Sequence, residues 1–187
     1  LQNAPVTLVV LQVIGTISAI GGSLVSIAQV DIKRTLSYST TAYLGLVFIA
    51  ISLQVPVLAL LLLFARAVSK ALLSMSVGGV IASTNCQDIT ELGGLGGRMP
   101  ATTGSYLVGS AGLVGLLPLG GFLCLAQAVE LVGARSVIFV PVFLLTNALT
   151  ALNLTRIYRQ VFLGRSLTKT RRAAEVNWQM AFPMVSL

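Results

Sequence analysis

Five apolar stretches follow one another along this chain, each close to or above the roughly 20 residues that a helix needs to cross a bilayer. They fall at 5–29, 35–53, 55–82, 104–132 and 136–163, and a sixth begins near 177. Only 9% of the 187 residues are charged, whereas a water-soluble domain carries about 25%. The mean hydropathy is +0.94. These features predict an all-α fold, a polytopic bundle of transmembrane helices. The chain opens on Leu1 without a basic leader region and stops at Leu187, inside the apolar stretch that starts around Trp178. It is therefore expected to be an internal piece of a longer membrane protein. Residues 1–164 form the five-helix part. Residues 165–187 are expected to be a basic connector at the membrane surface followed by the start of the sixth helix.

The basic residues report the topology. Segments after the first, third and fifth spans carry Lys33, Arg34, Arg98, Arg156, Arg159, Arg165, Lys169, Arg171 and Arg172. The opposite side carries Arg135 alone. By the positive-inside rule the first side is cytoplasmic. The net charge of +7 is thus a consequence of orientation in the lipid bilayer. No aromatic-interleaved basic patch accompanies it, and no nucleic-acid partner is expected.

Several chemistries are excluded for this stretch of chain. It has no His, so imidazole can neither bind a metal nor carry a proton. Cys86 and Cys124 match no zinc or redox spacing and are not expected to pair. The loop 84–101 contains GGLGG, but no strand precedes it and no Lys-Ser/Thr follows, so it lacks the context of a phosphate loop. A cytoplasmic turn with a short surface helix is expected there.

Two cations interrupt the third span. Arg66 and Lys70 stand one helical turn apart on one face, among the small or hydroxylic Ala67, Ser69 and Ser74. Each costs on the order of 2.5–3.5 kcal/mol at a helix centre, even on the lenient insertion scale. Arginine keeps its charge under nearly all conditions, whereas a desolvated lysine exchanges its proton readily. The pair therefore suits a proton relay. A fixed ion pair with a carboxylate elsewhere, or snorkelling toward the interface, would explain the same residues. Lys70 lies near mid-span, where snorkelling is hard.

The fourth span carries Pro118, Gly120 and Gly121 at its middle, which predicts a discontinuous helix. Such breaks are tolerated where the freed backbone is buried or faces a watery cavity. A plain packing kink is the alternative. Glu130 beyond it is either a residue at the non-cytoplasmic end or a proton entry or exit group. The fifth span aligns Thr146, Thr150 and Asn153 on one face, with Asn147 adjacent. These side chains can line a water file or bond between helices, and Gln12 and Thr16 in the first span invite the same two readings.

From Val30 the chain reads VDIKRTLSYSTTAYLGLVFIA, then FARAVSKALLSMSVGGVI, QDITELGGLGGRMP, LLPLGGF and TALNLTRIYRQVFLG. In order and type these segments resemble those of the antiporter-like subunits of complex I, in the chain 5 (F subunit) branch of type I NAD(P)H dehydrogenase. That branch is related to Mrp-type antiporter subunits. The resemblance implies an antiporter-like fold with one broken helix, and a proton-translocating role in the membrane arm. Lys70 matches the lysine of the family's hydrated central axis, and Lys33 the mouth of the second half-channel. Two positions depart from the family. Arg66 stands where a histidine is common, and Leu125 stands where the broken helix bears a lysine. The usual outlet is then absent or rerouted, with Glu130 as a candidate.

Those departures are similar to a cyanobacterial paralogue of CO2-uptake complexes. This implies a thylakoid location, other membrane-arm subunits as partners (the antiporter-like D subunit among them), and a carbonic-anhydrase-like protein that hydrates CO2. No cofactor is expected in this chain; the complex as a whole uses iron–sulfur clusters and plastoquinone. Two competing functions stay open, a Mrp-type cation/proton antiporter subunit and a non-conducting scaffold.

Overall fold

The computed structural model describes residues 5–115 and 120–164. Among them the chain forms α1 (Pro5–Ala28), α2 (Ile32–Ser52), α3 (Pro56–Thr84), α4 (Pro100–Val114), α5 (Gly120–Arg135) and α6 (Val140–Ile157). Two short 3-10 turns, Ile89–Glu91 and Val137–Phe139, lie between helices, and a π-helical turn, Tyr158–Phe162, extends α6. Pro118, the basic connector and the sixth apolar stretch lie outside the described residues.

Local chemistry sets the ends. Asp31 caps α2, its carboxylate accepting from the backbone N–H of Lys33 at 2.8 Å and Arg34 at 3.3 Å. The cap starts α2 three residues before the apolar pattern suggests. Pro56 and Pro100 open α3 and α4 at positions that need no donor. Hydroxyls within the spans are largely satisfied by their own helices. Thr16, Ser37, Thr40 and Thr150 each donate to the carbonyl four residues back. For Thr16 this leaves no need of a water file.

Helices α1, α2, α3 and the α6 segment Val137–Phe162 are each long and apolar enough to cross a membrane. The span expected over 104–132, broken at its middle, is formed by two helices, α4 and α5. Their discontinuity starts at Gly115, which takes a left-handed conformation with φ 83°, one that glycine adopts without strain. Outward surfaces carry Val6, Ile17, Leu60, Phe64 and Leu123, as a lipid-facing shell requires.

Small residues bring α1 and α2 together backbone to backbone. A Cβ on Gly45 would stand 2.5 Å from the Gly15 carbonyl oxygen and 2.6 Å from the Ala19 nitrogen. In lipid, where hydrophobic association is weak, such close van der Waals contact is a main source of helix pairing.

The connections after α1, α3 and α6 are joined at one end of the bundle. Ile32 N–H donates to Gln87 O and Ile89 N–H to Val30 O, both at 3.0 Å. Leu95 and Gly96 N–H donate to Val161 and Phe162 O at 3.2 and 3.0 Å. The GGLGG segment thus runs against the end of α6, and a Cβ on Gly96 would stand 3.0 Å from Phe162 O. Arg156 closes the same rim by donating to Ile27 O at the end of α1.

Two apolar cores fill the bundle. One, toward the rim, includes Leu36, Leu73, Met99, Tyr106 and Leu154. The other includes Leu46, Leu62, Cys124, Ala128 and Phe143. Between them α2, α3 and α6 all turn polar, at Ser39–Thr40, Arg66–Ser69 and Thr146–Thr150.

Candidate functional site

The polar layer is organised around Arg66. The residue is only 7% exposed, and one of its terminal nitrogens (Nη2) donates to Ser39 Oγ at 2.9 Å and to Thr40 Oγ1 at 3.5 Å. Its guanidinium carbon lies 4.3 Å over the centre of the Tyr43 ring, a cation–π arrangement. Nε and Nη1 are buried without a partner. Lys70, half-buried one turn along α3, donates from Nζ to the same Thr40 hydroxyl. Two cations therefore meet on one neutral oxygen, and among the described residues no carboxylate reaches either.

The surroundings differ on the two sides of the pair. Thr40, Tyr43, Arg66, Lys70 and Ser74 line an open cleft of about 410 Å³ between α2 and α3. On the inner side Arg66 borders a small cavity of about 20 Å³, walled by Tyr43, Gly112, Leu113, Leu125 and Asn147. That is the volume of about one water molecule. Along α2, Lys33, Ser37 and Thr40 recur at helical spacing on one face, with Ser37 Oγ donating to Lys33 O at 3.0 Å. Seven residues of helix separate Lys33 from Thr40, about 10 Å of rise. A polar stripe thus links the exposed N-terminal end of α2 to the cations.

Of the residues singled out in sequence, Arg66, Lys70 and Ser74 share this cleft, and Lys33 lies along the stripe leading to it. Ser69 turns the other way, toward α4, where a Cβ on Gly112 would stand 2.6 Å from its Oγ. Asn153 lies near the rim; its Nδ2 donates to Ser26 Oγ at 2.6 Å, and Ser26 donates to Thr35 O at 2.9 Å. That triad joins α6, α1 and α2. Thr150 is bonded within α6 to Thr146 O, and Thr146 Oγ1 is buried without a partner. Glu130 is exposed on α5 and lines neither the cleft nor the cavity. Leu125 forms part of the cavity wall. Cys86 and Cys124 form no disulfide.

Ser39, Thr40 and Tyr43, which complete the site, were legible only as an unusual hydroxyl run, STTAY, in an otherwise apolar span. Asn147 joins them from α6. Its Nδ2 donates to Val114 O at 2.9 Å, and Tyr43 Oη donates to Leu113 O at 2.8 Å. Both carbonyls belong to the last turn of α4, whose end carbonyls have no partner within the helix.

The comparisons with known proteins agree with this architecture. A family described as "NADH:quinone oxidoreductase/Mrp antiporter, TM" matches residues 2–150. The chain is 70% identical, over all of its length and 30% of the relative's, to a protein named NAD(P)H-quinone oxidoreductase subunit 5, organellar chromatophore 2, of Paulinella chromatophora. It is 33% identical to NADH-quinone oxidoreductase subunit L of Rickettsia bellii, across 88% of this chain and 26% of that protein. Among solved structures, one of an archaeal membrane-bound sulfane sulfur reductase superposes with a TM-score of 0.89 at 22% identity, covering 95% of this chain and 30% of that one. The Mrp complex of Dietzia sp. gives 0.80 at 19% identity, covering 84% and 30%; at these identities the likeness is one of fold. The chain spans about a third or less of the relatives it matches. It belongs to the transmembrane family of NADH:quinone oxidoreductase and Mrp antiporter subunits.

Proposed function

We propose that this chain is part of a proton-translocating membrane-arm subunit of an NAD(P)H-quinone oxidoreductase, coupling electron transfer at a quinone to proton movement. The observation that carries the reading is the meeting of Arg66 and Lys70 on Thr40 without a counter-carboxylate among the described residues. A fixed ion pair would neutralise the cost of charge in the membrane; this arrangement leaves it in place. Lys70 is the proton carrier, because arginine does not give up its proton. Arg66 keeps the local charge positive and so favours release. Lys33, Ser37 and Thr40 form the route from the cytoplasmic end, completed by water in the open cleft. The small cavity at Arg66 extends the path inward to the break between α4 and α5.

The finer assignment rests on likeness. The Paulinella relative is named for an organelle called a chromatophore, and the sequence departures at Arg66 and Leu125 resemble a CO2-uptake branch. Both support a photosynthetic membrane, plastoquinone as acceptor, an antiporter-like D subunit as neighbour, and a hydrating carbonic-anhydrase-like partner. One observation favours the scaffold reading instead. Leu125 puts an apolar side chain in the cavity wall at the position where the family carries a lysine.

Lys70→Met in the full-length subunit separates the two. In membranes holding the assembled complex, proton uptake linked to electron transfer should fall by about tenfold or more, with CO2 uptake falling alongside. Unchanged pumping in an assembled complex would leave the scaffold.

A further inference from the structure

The carbonyls at the end of α4 are held by side chains from two other helices, and one of those side chains also carries the Arg66 cation. Tyr43 Oη donates to Leu113 O at 2.8 Å, with Asn147 Oδ1 a second acceptor at 3.4 Å. Asn147 Nδ2 donates to Val114 O at 2.9 Å. Gly115, left-handed at φ 83°, follows directly and turns the chain out of the helix. Bare to hydrocarbon, these carbonyls would be unsatisfied where no water can reach them, so the two side chains are what permits a break here. The same Tyr43 ring supports the guanidinium from 4.3 Å. Between ring, guanidinium and break lies the cavity of about 20 Å³, beside the unpartnered Nε and Nη1 of Arg66.

We infer that Tyr43 and Asn147 are positioning residues that clamp the broken end of α4 and tie its geometry to the charge at Arg66 and Lys70. A phenol has one proton to donate. It lies on Leu113 O, and Asn147 Oδ1 stands ready to take it if the ring moves. Gain or loss of a proton at Lys70 changes the field on the ring and guanidinium together. Any displacement of the ring lengthens the bond to Leu113 and loosens the break. The cavity has room for one water within reach of the unpartnered Arg66 N–H groups and this junction. The clamp rests on the proton-path reading above and adds a device to it.

The test uses the complete complex in membranes. Tyr43→Phe keeps the ring under Arg66 and removes only the hydroxyl; Asn147→Leu removes the other half of the clamp. In both, uncoupled electron transfer should stay within about twofold, while protons moved per electron fall by about fivefold. The double variant should fall little further than either single one, because the two act as a unit. Wild-type pumping in Tyr43→Phe, alongside loss of pumping in Lys70→Met, overturns the clamp and leaves the proton path standing. Unchanged pumping in Lys70→Met overturns the path itself. Should the variants fail to assemble, amide exchange of Ser110–Gly115 in the wild-type complex decides the matter. Faster exchange during turnover than at rest supports the clamp, and identical exchange overturns it.

Discussion

Replacing Arg66 with Met separates a charge kept for stability from one kept for function. The guanidinium gains a charged hydrogen bond to Ser39, worth about 1.5–3 kcal/mol. It also gains a desolvated contact with the Tyr43 ring, worth about 2 kcal/mol. Against these stands the cost of holding a cation in hydrocarbon, about 2.5–3.5 kcal/mol, with Nε and Nη1 left without partners. Methionine retains much of the aliphatic stem's packing and leaves Ser39 bonded to Leu36 O at 2.8 Å. The two sides nearly cancel, so Arg66→Met should change the stability of the subunit by only about 1 kcal/mol. The assay is twofold: the amount of assembled complex by native gel and immunoblot, and denaturant unfolding of the purified complex in nanodiscs. Proton uptake per electron, measured on the same membranes, should drop severalfold. A loss of about 3 kcal/mol or more, with normal pumping in whatever complex assembles, would refute the argument, because the charge would then be structural.

Two further outcomes test the scaffold around the site. Gly45→Ala forces a methyl group against the Gly15 carbonyl and the Ala19 nitrogen; overpacking of this kind costs about 1–3 kcal/mol, and the subunit's level in membranes should fall while Gly21→Ala, where a Cβ meets nothing within 4 Å, leaves it unchanged. Single cysteines at Thr90 and Ile138, in a chain with Cys86 and Cys124 replaced, should react with an impermeant thiol reagent from opposite sides of the membrane, Thr90 from the cytoplasmic one; Thr90 labelled from the other side would reverse the topology, and both labelled from one side would deny that α4 and α5 together cross the membrane.

The membrane class was plain in the sequence because each span is an unbroken apolar run and lipid allows few alternatives to helix. The break was legible at Pro118, Gly120 and Gly121, and in the structure the departure from helix begins three residues ahead of Pro118, at Gly115, one of 18 glycines. Arg66 and Lys70 declared themselves by their cost. Their partners did not. Ser39, Thr40 and Tyr43 are ordinary residues for a helix, and only the packing of α2 on α3 makes them ligands of a guanidinium. Ser69 and Asn153 show the converse, polar residues at suggestive spacing that serve contacts between helices. A pattern along one helix identifies a face; which neighbour that face meets depends on crossings that a single sequence does not state.

The glycine seam between α1 and α2 has a mechanical consequence. With backbones already touching at Gly15 and Gly45, these two helices form a stiff plank, and Thr40 and the Tyr43 side chain project from its fixed backbone. Nothing so tight joins α2 to α3, where the cleft stands open. Relative displacement of the cations and their hydroxyl is therefore least resisted across this gap, where α3 faces the plank without close packing.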